Sequence, residues 1–249
     1  MSRKFPIRKC MIIVFWLLVW QTAATGISND ILLVGPRDVV GSLFSLVPVP
    51  DFWMAVGASF ARICAGFLMA FGLGLALGCL AFLVPLVREL LEPVMVLMKS
   101  VPVASFVVLA LIWTGAENLS VLISFLMVLP ILYTHTVAGL ESTDPRLLEM
   151  AQVFSATPWR RLWSIYLPSL FPHIVSSCRV ALGMSWKSGV AAEVIGIPSH
   201  SIGENLYMAK IYLDTSGLFA WTLVIILVSS LFEKLFLGML ALVRKLLWP

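Results

Sequence analysis

Long apolar runs separated by short polar segments fill this chain from one end to the other. A helix needs about 20 mostly apolar residues to cross a bilayer. The pattern therefore predicts six membrane-spanning helices, at residues 10–27, 57–84, 91–114, 119–140, 170–196 and 217–242. A short amphipathic helix is predicted near residues 37–46. The expected fold is all-α, with a single polytopic membrane domain over residues 1–249.

The composition supports lipid as the surrounding solvent. Of all residues, 60% are hydrophobic and 12% are charged, whereas soluble proteins average roughly 45–50% apolar and about 25% charged residues. The net charge of +4 could indicate nucleic acid as a partner. The cations instead lie in short gaps between apolar runs, without a basic patch with interleaved aromatic residues. We therefore expect a lipid partner and no nucleic acid.

The distribution of Lys and Arg predicts the orientation, because cytoplasmic loops of membrane proteins carry an excess of both. A cytoplasmic N-terminus places these residues inside: Arg3, Lys4, Arg8, Lys9, Arg88, Arg146, Arg160, Arg161, Arg244 and Lys245. The outer loops then hold only Arg37 and Lys210, with Arg62 at a helix mouth. Both termini are expected in the cytoplasm. The first apolar run also has features of a signal peptide, but we interpret it as a retained helix.

Four cysteines lie in or beside the apolar runs, and none forms a CxxC pair. They are Cys10, Cys64, Cys79 and Cys178. We expect them to be small buried hydrophobic residues, and we predict neither a disulfide nor a metal site.

The connection at residues 141–169 carries two helix start signals. Asp144 precedes Pro145, and Thr157 precedes Pro158, so each pair combines an N-cap residue with proline at the first helical position. Ser155 and Ala156 form a break between them. The connection is therefore predicted to be a helix, a tight turn and a second helix.

The first of these helices has an apolar stripe at spacings of three and four residues. The stripe consists of Leu147, Leu148, Ala151 and Phe154. An exposed apolar stripe needs a partner. It could pack back on its own membrane helices, lie at the lipid surface, or dock a cytoplasmic protein.

The spacing of several residues in this connection is specific. Glu149 is followed by Ala151, then by Ser155-Ala156 at the turn, Trp159, and Leu167-Pro168 at the next span. This pattern resembles the cytoplasmic "EAA" loop of bacterial ABC importer permeases. Residues 100–102, 144–149, 179–183 and 192–193 are similar to the branch that includes sulfonate, taurine and nitrate permeases.

Two residues depart from the family pattern. Met150 replaces an alanine, and Ser155 replaces the glycine of the turn. A non-glycine residue at positive φ costs roughly 1 kcal/mol. The turn at Ser155 therefore either avoids that conformation or tolerates the strain.

The resemblance implies a type I ABC importer permease fold in the inner (cytoplasmic) membrane. It implies a second permease copy, giving a homodimer, together with two ABC ATPase subunits and an extracytoplasmic substrate-binding protein. The coupling loop to the ATPase would comprise Asp144, Leu147, Leu148, Glu149, Ala151, Phe154, Ser155, Ala156, Trp159 and Pro168. The chain has no GxxxxGK[ST] phosphate loop. No cofactor is therefore expected on this chain, and ATP and Mg²⁺ are expected on the ATPase.

Lys187 and Glu193 lie within the fifth predicted span, where unpaired charges are costly and often functional. They are six residues apart and do not share a helix face. They could form an internal ion pair, or point toward the pathway with their neighbours Ser185, Trp186 and Ser188. Glu193 matches a family position, whereas Lys187 does not, which makes Lys187 a candidate for contact with substrate. Arg62 is expected to snorkel to the membrane interface.

The cargo and the class of protein leave alternatives open. A cationic Lys187 favours a small anionic or zwitterionic solute, such as a sulfonate, taurine, nitrate or a heterocyclic vitamin precursor. A secondary transporter or channel would need inverted repeats or ionisable relays, and a membrane enzyme would need converging His, Asp or Glu residues. Neither class requires the loop at residues 149–168, so we predict a transport subunit that is not itself an enzyme.

Overall fold

The computed structural model describes residues 4–27 and 29–247, with side chains from residue 8 onward. Arg3, one of the predicted cytoplasmic cations, lies outside them. The α-helices are α1 (Lys4–Ile27), α2 (Pro36–Leu46), α3 (Pro50–Leu83), α4 (Pro85–Ser100), α5 (Val103–Glu141), α6 (Pro145–Val153), α7 (Pro158–Arg161), α8 (Leu167–Gly196), α9 (Ile202–Ile211) and α10 (Thr215–Leu247). Every regular element in the described ranges is helical, which confirms the all-α prediction.

Proline begins many of these helices. It is the first residue of α2, α3, α4, α6 and α7, where its missing N–H costs nothing and its fixed φ favours the helix. α2 confirms the short helix predicted near residues 37–46.

Four helices in the described part of the chain are long and apolar enough to cross a membrane: α1 from Arg8, α3, α5 and α10. α8 is 30 residues long, but its charged residues Arg179, Lys187 and Glu193 lower its apolar character. The fifth predicted span is therefore present as a helix with an unusual charge content for a membrane segment.

The third predicted span is not one continuous helix, so that prediction is wrong. α4 ends at Ser100, and Val101 and Pro102 are extended, with ψ of 126° and 125°. A residue that precedes proline is disfavoured in the α region, which explains the break. The chain then resumes as α5, which is kinked at Gly115 (φ 69°, ψ 173°). The second part of α5 corresponds to the fourth predicted span.

α7 and α8 form one continuous helical rod, joined by a π-helical turn at Leu162–Tyr166. Pro168 has no N–H to donate to the preceding turn, and the Leu167 N–H bonds to the Leu162 carbonyl, five residues earlier. A π turn of this kind accommodates a local interruption of the α-helical ladder. The second helix of the predicted loop therefore continues directly into the membrane helix.

The second part of α5 packs between α3 and α8, and this contact forms the core. α3 approaches α5 closely: a Cβ at Gly66 would lie 2.4 Å from the Val121 carbonyl oxygen. Cys64 and Cys178 are buried, as expected, whereas Cys10 is exposed.

The contacts of α1 with the remaining helices that the structure describes include its C-terminal end. Its Trp20 indole donates to the Val34 carbonyl at 3.0 Å and packs against Phe219. The side chains from Arg8 to Val19 are exposed in the single chain, so most of α1 is available to lipid or to another subunit.

Candidate functional site

Two capped helices build the segment that we call the hairpin, residues 144–161. The Asp144 carboxylate accepts from the Arg146 N–H at 2.9 Å, and the Thr157 hydroxyl accepts from the Arg160 N–H at 3.4 Å. Both predicted N-caps are therefore formed, and the predicted helix, turn and second helix are confirmed. Local hydrogen bonds define the shape of the hairpin.

The turn of the hairpin adopts the strained conformation. Ser155 has φ 50°, the left-handed region that favours glycine and costs other residues about 1–2 kcal/mol. The Ser155 N–H bonds to the Gln152 carbonyl at 2.9 Å, and the Ala156 N–H bonds to the Ala151 carbonyl at 2.8 Å. This pair of bonds is a Schellman motif, which satisfies the last carbonyls of α6. The turn therefore adopts the conformation that glycine favours, although Ser155 occupies the position.

Large apolar side chains are uncovered on the hairpin. Val153, Phe154 and Trp159 are 80%, 76% and 68% exposed, and Met150 is half exposed. We call these four side chains the hairpin apolar surface. Phe154 and Trp159 were predicted as docking residues, whereas Val153 and Met150 were missed because they fall outside the stripe of three- and four-residue spacings.

The other predicted docking residues divide between exposed and buried positions. Leu147 and Glu149 are exposed and Leu148 is half-buried. Ala151 is buried, so it does not lie on the exposed face where the stripe placed it. Ala156 and Pro168 are partly buried, and both serve the backbone geometry of the hairpin and of the α8 start.

A groove runs between α6 and the following helical turns. Its cavity volume is about 390 Å³, and it is lined by Leu147, Met150, Ala151, Phe154, Ala156, Arg160, Arg161, Ser164 and Ile165. The Arg161 side chain donates through Nε to the Ala156 carbonyl at 3.0 Å. An internal hydrogen bond therefore stabilises the hairpin, while the hairpin apolar surface stays exposed.

Of the five residues predicted to line a pathway, only Lys187 is exposed. Ser185, Trp186 and Ser188 are buried in the chain itself, and Trp186 packs in a core with Ile63 and Val190. These three side chains point into the helix bundle of the single chain, so their burial does not support a place beside Lys187 in a pathway, and that role stays a prediction. Lys187 shares the exposed face of α8 with Val180, Met184 and Ile195.

Glu193 does not pair with Lys187. Its side chain is fully buried, and Oε2 accepts from the Ser59 hydroxyl at 2.6 Å and from the Gly203 N–H at 3.3 Å. The Ser59 hydroxyl in turn accepts from the Ile202 N–H at 2.9 Å. Glu193 therefore joins α8 to α3 and to the first turn of α9. Of the two alternatives for Lys187 and Glu193, the internal ion pair is not formed among the described residues.

Gly203 permits this contact. A Cβ at this position would lie 2.2 Å from the Glu193 Cβ and 2.4 Å from the Glu193 carbonyl carbon. No side chain fits at that distance, so the start of α9 packs directly on the backbone of α8.

A second polar network lies beside the first. Arg62 forms an ion pair with Glu117, and it also donates to the Ser199 carbonyl at 3.3 Å. The Ser199 N–H donates to Glu117 Oε1 at 3.0 Å. Arg62 therefore pairs within the chain rather than snorkelling to the interface. The sequence analysis did not identify Glu117 as the partner of Arg62. The opposite charges of the two side chains were the one signal in the sequence that indicated this pair.

We call these groups the α9-end cluster: Ser59, Arg62, Glu117, Glu193, Ser199, Ile202 and Gly203. The loop that they hold contains Ile197 and His200, both with φ 51°. This left-handed backbone costs energy for residues with a side chain. The long-range hydrogen bonds of the cluster keep the loop in place against that cost.

Comparison with known proteins decides the class. The family described as the binding-protein-dependent transport system inner membrane component matches residues 63–247, which include the hairpin, α8 and α9. The chain belongs to this family. It is a polytopic membrane permease subunit of an ABC importer, as the resemblance of its loop predicted. The alternative of a secondary transporter or channel is disfavoured.

Three relatives of the permease illustrate the range of the family. The taurine transport system permease protein TauC of Escherichia coli is 30% identical, over 92% of this chain and 85% of that protein. The glycine betaine/carnitine transport permease protein GbuB of Listeria monocytogenes is 25% identical, over 80% and 69%. The nitrate import permease protein NrtB of Synechocystis is 24% identical, over 76% and 72%.

Proposed function

We propose that two copies of this permease form a translocation pathway and that each hairpin docks on an ATPase subunit that binds ATP and Mg²⁺. The observation that carries the proposal is the hairpin apolar surface. Four large side chains stand open on a segment whose backbone is held rigid by two caps and a Schellman motif. Apolar side chains exposed together need a covering partner.

The charge distribution favours a cytoplasmic position for the hairpin. Arg146, Arg160 and Arg161 belong to it, and Arg88 pairs with Glu141 where α5 leads into it. Arg244 and Lys245 end α10, whereas the α9 end carries few cations. By the positive-inside rule, the hairpin and both termini face the cytoplasm of the inner membrane. An extracytoplasmic binding protein would then deliver cargo at the α9 end.

We further propose a small anionic or zwitterionic cargo. Taurine, nitrate, glycine betaine and carnitine, which appear in the names of the relatives, all carry an anionic group. Lys187 lies within α8, nine residues before its end, on a face that the single chain leaves open. A lysine facing lipid there would be costly. The proposal places Lys187 at the contact of the two copies, facing the pathway.

Copurification tests the ATPase contact. Phe154→Asp would bring a carboxylate into the docking surface, where an unpaired buried charge costs several kcal/mol. We expect the variant to retain less than roughly a tenth of the ATPase that copurifies with the wild-type permease. Gln152→Asp, an equal charge two residues earlier in α6 and outside the hairpin apolar surface, is the matched control. Equal ATPase retention by the two variants would contradict the proposal.

Transport by a Lys187 variant tests the pathway role. Lys187→Met removes the charge from an exposed position, so we expect normal assembly and a raised KM for taurine uptake in cells that carry the complete transporter. Lys210→Met, an exposed lysine on α9, is the control. Unchanged uptake kinetics in the Lys187 variant would remove this residue from the pathway.

A further inference from the structure

A polar groove lies between α4 and the second part of α5, away from both the hairpin and the α9-end cluster. Its cavity volume is about 220 Å³. It is lined by Arg88, Glu92, Met95, Val96, Lys99, Tyr133, Thr134, Val137, Ala138 and Glu141. Met95 and Val137 are buried and form an apolar floor, while charged and hydroxyl groups form the walls.

One wall of the groove offers a cation. Lys99 Nζ donates to the Thr134 hydroxyl at 2.7 Å, and no carboxylate among the described residues lies within ion-pair distance of it. The Thr134 hydroxyl donates onward to the Pro130 carbonyl at 2.7 Å. The ammonium is therefore oriented by a neutral group and keeps its charge for an anion.

The same wall, formed by α4, also offers a carboxylate, seven residues before Lys99. Arg88 is engaged by Glu141 in an ion pair, so Glu92 is the acidic group of the groove without an ion-pair partner among the described residues. Arg88, Glu92 and Tyr133 all line the groove, and Arg88 and Glu92 also interact electrostatically with each other. Tyr133 is 6% exposed, yet its hydroxyl bonds to no described residue. The hydroxyl oxygen itself is not enclosed, so it can exchange hydrogen bonds with a ligand in the groove.

The polar lining of the groove argues against lipid tails as its covering. Lys99 and Glu92 both line it, and charged groups do not face hydrocarbon without cost. The groove must therefore face water, a polar ligand or polar headgroups.

We propose that this groove binds a zwitterion, with Lys99 and Thr134 holding its anionic oxyacid group and Glu92 and Tyr133 holding its ammonium group. Two sources share this chemistry: a small solute such as taurine on its way through the transporter, or the headgroup of phosphatidylethanolamine. Only the first source rests on the proposed function. The binding of a zwitterion does not depend on the contact between hairpin and ATPase.

Protection of an introduced thiol measures the binding. Ala138 lines the groove and is exposed, so Ala138→Cys supplies a maleimide target in the full chain. The permease is placed in nanodiscs of phosphatidylglycerol, and labelling is followed by peptide mass spectrometry. Cys10, exposed and outside the groove, reports the general labelling rate. Cys178, which is buried, stays unlabelled only while the chain is folded.

We expect taurine to slow labelling at position 138 and to leave Cys10 unaffected. Methanesulfonate, which has the sulfonate without the ammonium, should protect far less. In the Ala138→Cys background, Lys99→Met or Glu92→Gln should weaken protection by taurine roughly tenfold, because each removes a charge-assisted hydrogen bond. Lys210→Met and Glu89→Gln are the matched controls and should leave protection intact.

The lipid arm distinguishes the two sources. If phosphatidylethanolamine in the nanodisc slows labelling without taurine, the ligand is the headgroup; if only taurine does so, the ligand is the solute. Equal protection by methanesulfonate and taurine would overturn the zwitterion assignment. So would labelling that none of the three ligands changes, or protection that survives both Lys99→Met and Glu92→Gln. None of these outcomes depends on an ATPase, so they are distinguishable from a failure of the hairpin proposal.

Discussion

The α9-end cluster and the hairpin lie at opposite ends of the rod formed by α7 and α8, and they are stabilised in opposite ways. In the cluster, Glu193 reaches Ser59, 134 residues away, and Arg62 reaches Glu117, 55 residues away. In the hairpin, the caps and the turn bonds join residues that are close in sequence. One end is held by long-range contacts, buried at Glu193 and solvent-accessible at Glu117, and the other by local geometry.

This difference indicates that the α9-end cluster stabilises the fold and that the hairpin forms an interface. A buried carboxylate with specific donors favours a single arrangement of α3, α8 and α9, since any other leaves polar groups unsatisfied. The hairpin has a defined backbone but leaves the side chains of Val153 and Phe154 uncovered. The α9 end makes most of its polar contacts within the chain, with Glu193 Oε1 and Arg62 Nη1 left without a partner among the described residues. The hairpin, by contrast, leaves large apolar side chains uncovered and needs a partner. Substitutions at the two ends should therefore differ in kind as well as in size.

The largest loss of stability is expected from Gly203→Ala. The new Cβ would overlap the Glu193 side chain and backbone, and overpacking of this severity costs about 3 kcal/mol. Thermal unfolding of the purified permease in detergent measures the loss. Gly238→Ala is the control, because Gly238 is an exposed residue of α10 with nothing within 4 Å of an added Cβ. A similar melting temperature for the two variants would show that α9 does not pack as described.

Glu193→Ala should have the next largest effect. It leaves the Gly203 N–H and the Ser59 hydroxyl buried without their acceptor, which costs about 2 kcal/mol. Glu193→Gln keeps an acceptor oxygen and should lose about half as much. The same unfolding measurement compares them, and Lys187→Met, on the exposed face of α8, should melt as the wild type does. If Glu193→Ala were as stable as Lys187→Met, the α9-end cluster would not stabilise the packing of α3, α8 and α9.

At the hairpin, Asp144→Ala removes a local cap and should cost about 1 kcal/mol of helix stability. Because the contact is local, we expect faster hydrogen exchange in α6 with little change in the melting temperature of the whole permease. Asp144→Asn, which can still accept from the Arg146 N–H, should exchange nearly as slowly as the wild type. A lower global melting temperature for the alanine variant would show that the hairpin is part of the main cooperative unit.

The smallest effect is expected from Ser155→Gly, and it is a gain. Glycine adopts φ 50° without the steric penalty that serine bears there, so the hairpin should be stabilised by about 0.5 kcal/mol. Slower exchange of the Ala156 amide would show the gain. Ser155→Val, which worsens the strain, should speed the same exchange. The reverse order of these two variants would contradict the left-handed conformation of the turn.

Features with local causes could be predicted from the sequence. Asp144-Pro145 and Thr157-Pro158 carry the physical signals that start α6 and α7, and Pro36 does the same for α2. The break before α5 also had a local signal, because Pro102 disfavours a helical Val101. The apolar run through residues 91–114 outweighed that signal and led to the prediction of one continuous helix.

Features with long-range causes could not be predicted. Nothing near Glu193 in the sequence indicates Ser59 or Gly203 as its partners, because only the packing of α3, α8 and α9 brings them together. The burial of Trp186 and the exposure of Lys187 likewise depend on which face of α8 meets the bundle. Adjacent residues on one helix point in different directions. Ser185, Trp186 and Ser188 therefore need not share a pathway role with Lys187, although they are its neighbours in sequence.

Hydrogen exchange of the permease alone and in complex with its ATPase tests the central claim most directly. If the hairpin is the docking surface, amides from about Met150 to Arg160 should exchange markedly more slowly in the complex, while those of the α9-end cluster should not change. Unchanged exchange across the hairpin, with protection elsewhere in the chain, would contradict the account.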